Sequence, residues 1–223
     1  MSKVKTILII NPNSTEDVTV GIREAVRQFE YSEGGFEFKF AYVTAPETAP
    51  PSINDAVTSV ESAMICYDYI TKLYQNNIFS GIIVACFSMH PLIQMLREWT
   101  SSPVLGILDA SIGCSLLYSS KKFGFITTGP YWINEFEDAV RNFIGASSSE
   151  RYAGTICTNL GVVELRTRSA NEINEIILSK AVELSESRNA KTIILGCAGM
   201  YLINKNYHCF LKNYRNGWYG TKD

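Results

Sequence analysis

Two short segments constrain the fold of this chain more than any other feature. GIIVACFSMH at residues 81–90 and TIILGCAGM at residues 192–200 are each a run rich in β-branched aliphatic residues that stops at a cysteine, Cys86 or Cys197. Small or polar residues follow each cysteine. A nearly continuous apolar run of this length is typical of a buried strand in a parallel sheet. The chain therefore carries the same strand-then-cysteine unit twice.

Strand-like and helical patterns alternate through the first half of the chain. Strands are predicted at residues 4–10, 36–43, 82–86 and 104–107, and helices at about 15–31, 53–74 and 91–99. Ser14 and Asp17 resemble a capping box at the start of the first helix, and Pro91 suits the first turn of the third. This alternation predicts βαβ units.

The second half repeats this order. A strand begins at about residue 123, and the later elements are predicted helices at 131–143 and 169–187 and predicted strands at 152–157 and 192–195. ILIINPNS near the start corresponds to GFITTGPYW after the midpoint, because each is a strand that enters a polar loop containing proline. We predict an α/β fold of two similar parallel-sheet half-domains related by a pseudo-twofold axis, at residues 1–110 and 111–200, followed by an atypical tail at residues 201–223.

Composition excludes several functional classes. With 223 residues, 46% of them hydrophobic, the chain can bury a substantial core without disulfides. The chain has 20 Lys and Arg and 22 Asp and Glu, so it lacks the excess of basic residues that nucleic-acid binding requires. No apolar stretch reaches about 18 residues, and the first strand is too short for a signal sequence. We therefore expect no nucleic-acid partner, no membrane association and a cytoplasmic location.

Metal binding is also disfavoured. The chain has only two histidines, His90 and His208, and none of its six cysteines belongs to a CxxC pair. The cysteines are too sparse and too irregularly spaced for a disulfide framework, so we expect reduced thiols.

The predicted topology gives the two repeated cysteines functional positions. In open α/β sheets the ligand crevice lies beyond the carboxyl ends of the strands, where we expect the loops that begin at Asn11, Cys86, Thr127 and Cys197. If the two halves face each other, the two cysteines approach a bound molecule from opposite sides. Both also lie where a strand gives way to a predicted helix start, and a helix amino terminus can lower a cysteine pKa from about 8.5 to about 3.5–7.5.

Two opposed thiols suit racemisation or epimerisation. One thiolate takes a proton from a carbon on one face, and the facing thiol returns a proton to the other face. The enolate intermediate needs hydrogen-bond donors, for which the backbone amides after Cys86 and the hydroxyls of Ser88, Thr127 and Thr128 are candidates. Neither a metal nor an organic cofactor is required when the α-proton is acidic enough.

A second interpretation applies to any free cysteine, because this residue is often a small buried hydrophobe. Cys86 and Cys197 differ from the other cysteines in occupying matching strand ends. We assign the remaining four to the hydrophobic role: Cys66, Cys114, Cys157 and Cys209.

Six ordered blocks resemble the hydantoin racemase branch of the aspartate/glutamate racemase superfamily. They span residues from about 5 to 200 and read ILIINPNST, PSI at 51–53, IIVACFSMHPLIQMLRE, PVLGILDAS at 103–111, FGFITTG at 123–129 and IILGCAGM. The resemblance implies an aspartate/glutamate racemase-like fold with the site between its two halves. It also implies a small-molecule substrate, with cofactor-independent racemisation of 5-substituted hydantoins or of the related ureide allantoin.

The same resemblance implies roles for individual residues. By the family pattern, Cys86 and Cys197 are the two acid/base residues. The ligand-lining set is Asn11, Pro12, Phe87, Ser88, Thr127, Thr128, Ala198 and Gly199, with Val43 as a further candidate. Structural alternatives exist, because Asn11 and Pro12 often build turns and the two threonines suit a helix cap.

The chain departs from the family pattern after the first cysteine. Bacterial members usually carry a Gly-Asp-Pro-Gly type of loop there, whereas this chain has Ser88, Met89, His90 and Pro91. His90 is therefore a candidate to modulate the Cys86 thiol or to contact the substrate. The alternative is a solvated cap residue just before a helix.

A second departure follows Met200. The family pattern continues through another strand and a closing helix, but this chain reads YLINKNYHCFLKNYRNGWYGTKD. We expect a short helix followed by a frayed terminus. Without the missing strand and helix, apolar surface would be left uncovered. Three interpretations stay open: the chain is destabilised, it forms a homo-oligomer that covers the surface, or it is an altered reading of a longer gene.

The leading hypothesis is thus a hydantoin or allantoin racemase. One alternative keeps the fold and changes the substrate, as an aspartate or glutamate racemase or a malonate decarboxylase-like enzyme. The other alternative is a ligand-binding or regulatory domain that has lost turnover.

Overall fold

The computed structural model describes residues 3–33, 36–74, 79–118 and 120–203. The chain divides into two compact units, Met1–Leu108 and Asp109–Asp223. Predictions for residues 204–223, which include His208, Cys209 and most of the expected tail, lie outside the described residues.

The first unit contains a five-stranded sheet with β1 at its centre. The elements are β1 (Lys3–Asn11), α1 (Glu16–Val26), a 3-10 turn (Arg27–Phe29), β2 (Tyr31–Glu33), β3 (Phe36–Thr44), α2 (Ala56–Leu73), β4 (Gly81–Val84), α3 (Pro91–Trp99) and β5 (Val104–Gly106). The strand order is β2-β3-β1-β4-β5, and every pair is parallel except β2–β3. Leu8, Ile9 and Ile10 of β1 are at most 3% exposed, as expected for a strand covered on both faces.

The second unit contains a parallel sheet whose described strands run in the order β7-β6-β8. The elements that follow β5 are α4 (Ile107–Tyr118), β6 (Lys122–Thr127), α5 (Tyr131–Ile144), β7 (Tyr152–Cys157), α6 (Val162–Thr167), α7 (Ala170–Ser187), β8 (Ala190–Leu195) and α8 (Ala198–Ile203). The central strand, β6, contributes the fully buried side chains of Phe123, Phe125 and Ile126.

The predicted α/β fold with two parallel sheets is confirmed, and so are the predicted strands and helices, with bounds that differ by a few residues. Three elements lie outside the prediction: β2, α4 and α6. The sequence of α4, ILDASIGCSLLY, has apolar residues on all sides and therefore lacks the one-sided stripe that indicates a helix. Residue 110, the predicted end of the first half-domain, falls inside α4.

The predicted capping box at Ser14 and Asp17 is wrong. Thr15 is the N-cap residue of α1, and its side chain makes no capping hydrogen bond. The hydroxyls of Ser14 and Thr15 donate instead to the carbonyl oxygens of Ala49, at 2.9 Å, and Pro51, at 2.8 Å. These two hydroxyls tie the loop after β1 to the loop after β3.

Each unit places one cysteine beside a central strand, at the carboxyl end of its sheet. β4, which precedes Cys86, pairs in parallel with β1, which ends at Asn11. β8, which precedes Cys197, pairs in parallel with β6, which ends at Thr127. Because parallel strands end at the same edge, the loops at Asn11 and Cys86 are neighbours in the first unit, and those at Thr127 and Cys197 are neighbours in the second.

Candidate active site

The Cys86 loop continues directly from the β1–β4 ladder. The Ala85 N–H donates to the Ile10 carbonyl oxygen at 2.8 Å, so the backbone is held up to the residue before the cysteine. Cys86 and Phe87 are partly exposed, whereas Ser88 is buried. The Ser88 hydroxyl donates to Cys86 Sγ at 3.3 Å. A donor on the sulfur stabilises a thiolate, because hydrogen bonds to a charged acceptor are stronger than those to a neutral one.

α3 begins at Pro91, as predicted, so the expectation that Cys86 itself lies at a helix start is wrong. Pro91 lies in the first turn, as predicted, and His90 is the N-cap residue. The His90 side chain is 2% exposed, so the expectation of a solvated cap residue is also wrong. Burial disfavours the imidazolium and lowers the pKa of His90 to about 4.

Two polar contacts hold the buried His90 ring. Its Nδ1 accepts the Leu92 N–H at 3.3 Å, and its Nε2 lies 3.4 Å from Ser62 Oγ on α2. Ser62 in turn donates to the Pro12 carbonyl oxygen at 2.5 Å. Cys66, one helical turn along α2, donates to the same carbonyl at 3.4 Å. The first cysteine loop and the Asn11–Pro12 loop are therefore both tied to α2.

Asn11 organises its own loop. Its side chain is 1% exposed, and its amide nitrogen donates to Asn13 Oδ1 at 3.2 Å, the Thr15 carbonyl at 3.0 Å and Thr19 Oγ1 at 3.1 Å. Its amide oxygen accepts the Asn13 N–H at 3.3 Å. This pattern agrees with the turn interpretation, because side-chain amides commonly hold such loops together. Ligand contact by Asn11 or Pro12 stays a prediction.

A line of hydroxyls extends from Asn11 towards Glu16. Thr19 Oγ1 lies 2.5 Å from Thr44 Oγ1, and the Thr44 hydroxyl donates to the Glu16 carboxylate. Since Thr44 donates to Glu16, the proton between the two hydroxyls comes from Thr19. Val43, the neighbour of Thr44 in β3, is 7% exposed and packs in the hydrophobic core of the first unit. Its proposed lining role stays a prediction.

In the second unit, Thr127 and Thr128 are buried at the carboxyl end of β6. They do not cap α5, whose N-cap residue is Pro130. The Thr158 N–H and hydroxyl both donate to the Thr127 carbonyl, at 2.8 and 3.2 Å. The Thr127 hydroxyl oxygen has no hydrogen-bond partner among the residues that the structure describes.

Cys197 stands directly before α8, as the predicted helix start requires. Cys197 as a residue is partly exposed, as are the following residues, Ala198 and Gly199, but its sulfur is desolvated. Burial raises the pKa of Cys197, and the backbone N–H groups of Gly199 and Met200 only partly oppose this. The net direction is opposite to the expected lowering, because desolvation of the thiolate outweighs two backbone donors.

Gly196 leaves room for a buried ring just before Cys197. A Cβ at position 196 would lie 2.3 Å from Cε2 of Phe136, far inside van der Waals contact. Phe136 is fully buried on α5, and its ring centroid lies 5.0 Å from that of Phe125. The Gly196 N–H donates to the Ile126 carbonyl at 2.8 Å, which extends the β6–β8 ladder. The glycine therefore lets the strand reach Cys197 without displacing the aromatic core.

Comparison with known proteins decides the family. The sequence matches the family model for Asp/Glu/Hydantoin racemase over residues 7–209. The chain belongs to this family. It is 32% identical over 207 residues to Protein DCG1 of Saccharomyces cerevisiae, a match that covers 86% of this chain and 82% of that protein. It is 25% identical over 194 residues to a hydantoin racemase of Paenarthrobacter aurescens, which covers 87% of this chain and 78% of that protein.

The fold agrees with this family. Allantoin racemase from Klebsiella pneumoniae superposes with a TM-score of 0.75 at 22% sequence identity, over 90% of this chain and 77% of that one. The resemblance to the hydantoin racemase branch is therefore confirmed, and family membership supports an isomerase (racemase) activity.

The racemase fold gathers the predicted site residues into two groups, one at each sheet edge. Several contributors lie outside the sequence prediction: Thr19, Thr44, Ser62, Cys66 and Thr158. Ser62 and Cys66 are spaced i and i+4, so they share the buried face of α2. Cys66 is fully buried, as the hydrophobic role predicts, and burial raises its pKa to about 11.

The described parts of this racemase contain no group of three His, Cys, Asp or Glu residues arranged to hold a metal ion. Cys66, Cys86, Cys114, Cys157 and Cys197 are free cysteines. The hydrophobic role predicted for Cys114 is wrong, because this residue is exposed. Within the same residue ranges, no helix has the length and hydropathy of a membrane span.

Proposed function

We propose that this chain is a cofactor-independent racemase of 5-substituted hydantoins or of allantoin, with Cys86 and Cys197 as its acid/base residues. The observation that carries the proposal is the matched placement of the two cysteines. Each follows a strand that pairs in parallel with the central strand of its sheet, and each central strand ends in a residue of the ligand-lining set, Asn11 or Thr127.

The substrate class suits catalysis without a cofactor. In hydantoins and in allantoin, the reacting carbon lies between a ring carbonyl and a ring nitrogen. Removal of its proton gives an enolate whose charge moves onto the carbonyl oxygen, where hydrogen-bond donors can stabilise it. The amides after Cys86 and the hydroxyl of Thr127, which lacks a partner among the described residues, are candidates for this role.

The environments of the two sulfurs favour different protonation states. The Ser88 hydroxyl donates to Cys86, which suits a thiolate that accepts the substrate proton. Burial raises the pKa of Cys197, which favours the thiol that delivers a proton to the opposite face. One S–H bond forms on Cys86 as the C–H bond breaks, and the Cys197 S–H bond then breaks as the new C–H bond forms. Turnover of the opposite enantiomer, or proton exchange with water, restores the starting state.

A substrate panel tests the proposal. Single enantiomers of allantoin, of a 5-substituted hydantoin and of aspartate are incubated with the protein in D₂O. Racemisation is followed by chiral chromatography and α-proton loss by NMR, each above the uncatalysed rate. We expect racemisation of a hydantoin or of allantoin, and its loss in Cys86→Ser and Cys197→Ser. The matched control is Cys114→Ser, which changes an exposed cysteine away from both strand ends.

The other hypotheses correspond to other outcomes of this panel. Turnover of aspartate alone would identify an amino-acid racemase. Thermal stabilisation by a ligand without any α-proton exchange would identify a binding domain, and it would contradict the proposal. A cytoplasmic location and a homo-oligomeric state stay predictions.

A further inference from the structure

The hydrogen bonds around His90 have a defined direction. Nδ1 accepts the Leu92 N–H, so it carries no proton, and the neutral ring must carry its proton on Nε2. Nε2 therefore donates to Ser62 Oγ. The Pro12 carbonyl can only accept, so Ser62 donates its own proton there. The result is a one-way relay from the Leu92 amide through His90 and Ser62 to Pro12.

This relay connects the loop that carries Cys86 to the neighbouring Asn11–Pro12 loop. The segment that carries Cys86 is attached at its start, where the Ala85 N–H donates to Ile10 of β1, and at its end, where His90 enters the relay. Pro12 belongs to the adjacent loop, directly after Asn11. All four relay residues are buried: Leu92 and Ser62 are fully buried, His90 is 2% exposed, and Pro12 is also buried. Water cannot easily replace a buried partner, so loss of one member leaves another unsatisfied.

We propose that Ser62 and His90 are positioning residues of the racemase site, which hold the Cys86 loop and the Asn11–Pro12 loop at a fixed separation. The inference rests on the proposed function only for its kinetic consequence. Neither residue reacts with the substrate: both act through the loops that they hold. Ser62 has no place in the strand-then-cysteine pattern, and it reaches the site only because α2 packs its buried face against both loops.

The kinetic effect of losing this relay follows from geometry. Proton transfer between sulfur and carbon requires close approach, and a displacement of about 1 Å can cost roughly 100-fold in rate. Substrate binding depends on contacts with more groups, so it is less sensitive than proton transfer to a small displacement of Cys86. We therefore expect the relay to affect kcat more than KM.

Three substitutions separate the links of the relay. Ser62→Ala removes the central hydroxyl. His90→Asn keeps an oxygen that can cap α3 but is too short to reach Ser62, whereas His90→Gln keeps a donor close to the position of Nε2. The matched control is Ser59→Ala, which removes a hydroxyl from another buried serine of the same helix.

Two readouts are measured on the full chain of each variant. The first is kcat and KM for the substrate that the panel identifies. The second is the rate at which iodoacetamide alkylates Cys86, followed by peptide mass spectrometry, which requires no racemase activity. The melting temperature Tm is recorded for all variants, and if Ser62→Ala does not fold, His90→Asn decides the outcome because it retains the helix cap.

We expect kcat to fall between about 10- and 100-fold in Ser62→Ala and His90→Asn, with KM little changed, and to recover partly in His90→Gln. The rate of Cys86 alkylation should differ from the wild-type rate in Ser62→Ala and His90→Asn, and should equal it in Ser59→Ala. Wild-type kcat and wild-type Cys86 alkylation in Ser62→Ala or His90→Asn would overturn the inference. If the wild-type protein racemises none of the substrates, the proposed function fails, and the alkylation rates still decide whether the relay positions Cys86.

Discussion

The hydroxyl of Ser88 donates a hydrogen bond to Cys86 Sγ over 3.3 Å, from a side chain that is only 3% exposed. A buried donor aimed at a sulfur stabilises negative charge there, and hydrogen bonds to charged groups contribute about 1.5–3 kcal/mol. This contact distinguishes Cys86 from a cysteine that serves only in packing.

Ser88→Ala should slow proton abstraction by Cys86. Loss of the donor destabilises the thiolate, so we expect both racemisation and the alkylation of Cys86 at pH 7 to fall by about 10-fold or more. Steady-state kinetics and mass spectrometry of the labelled peptide measure the two effects. Ser59→Ala, also a buried serine, serves as the control. Unchanged Cys86 alkylation in Ser88→Ala would show that this hydrogen bond does not support the thiolate.

Gly196→Ala should destabilise the second unit. The added Cβ meets the Phe136 ring at 2.3 Å, and that ring packs against Phe125 and Trp132, so it cannot swing aside freely. We expect a loss of about 1–3 kcal/mol in the free energy of unfolding, measured by urea denaturation. Gly129→Ala is the control, since a Cβ there meets no atom within 4 Å. Equal stability of the two variants would contradict the packing argument.

His90 should make the folded protein sensitive to acid. Its pKa is about 4 in the folded protein and 6.5 in its ordinary state, so between these pH values the unfolded chain binds the proton more readily. The stabilising contribution is complete above pH 6.5 and is lost as the pH falls to about 4. Its full size is roughly 3 kcal/mol, from about 1.4 kcal/mol per pKa unit.

His90→Asn removes this contribution while it keeps an N-cap residue. Urea unfolding of the wild-type protein and of this variant between pH 5 and pH 7 measures it. The wild-type free energy of unfolding should decrease more steeply with falling pH than that of the variant. Parallel curves would mean that the His90 imidazole is not held neutral by the fold.

Sequence reasoning predicted the elements whose patterns are local. The runs that became β1, β4 and β8 are apolar and bounded by polar residues, and α7 carries the Ser169 and Glu172 capping box at its start. Three-residue β2 offers too few positions for a pattern, and α4 is apolar on every side. Ser14 does not cap α1 because its hydroxyl bonds to Ala49, 35 residues further along the chain.

The site was predictable only in part, for a similar reason. Cys86 and Cys197 stand out because each follows a strand, which is a local signal. Ser62 reaches Pro12 across 50 residues of sequence, and no motif marks such a contact. The direction of the Cys197 pKa shift also depends on tertiary structure, because burial outweighs the two backbone donors at the start of α8.

Proton exchange by the two single-cysteine variants tests the two-thiol mechanism most directly. Each enantiomer of the preferred substrate is incubated separately in D₂O with Cys86→Ser or Cys197→Ser, and deuterium at the reacting carbon is measured by NMR. A variant that keeps one thiol can still remove the proton from the face on which that thiol lies. We therefore predict no racemisation by either variant and residual exchange for opposite enantiomers in the two. Wild-type racemisation by either variant would contradict the account.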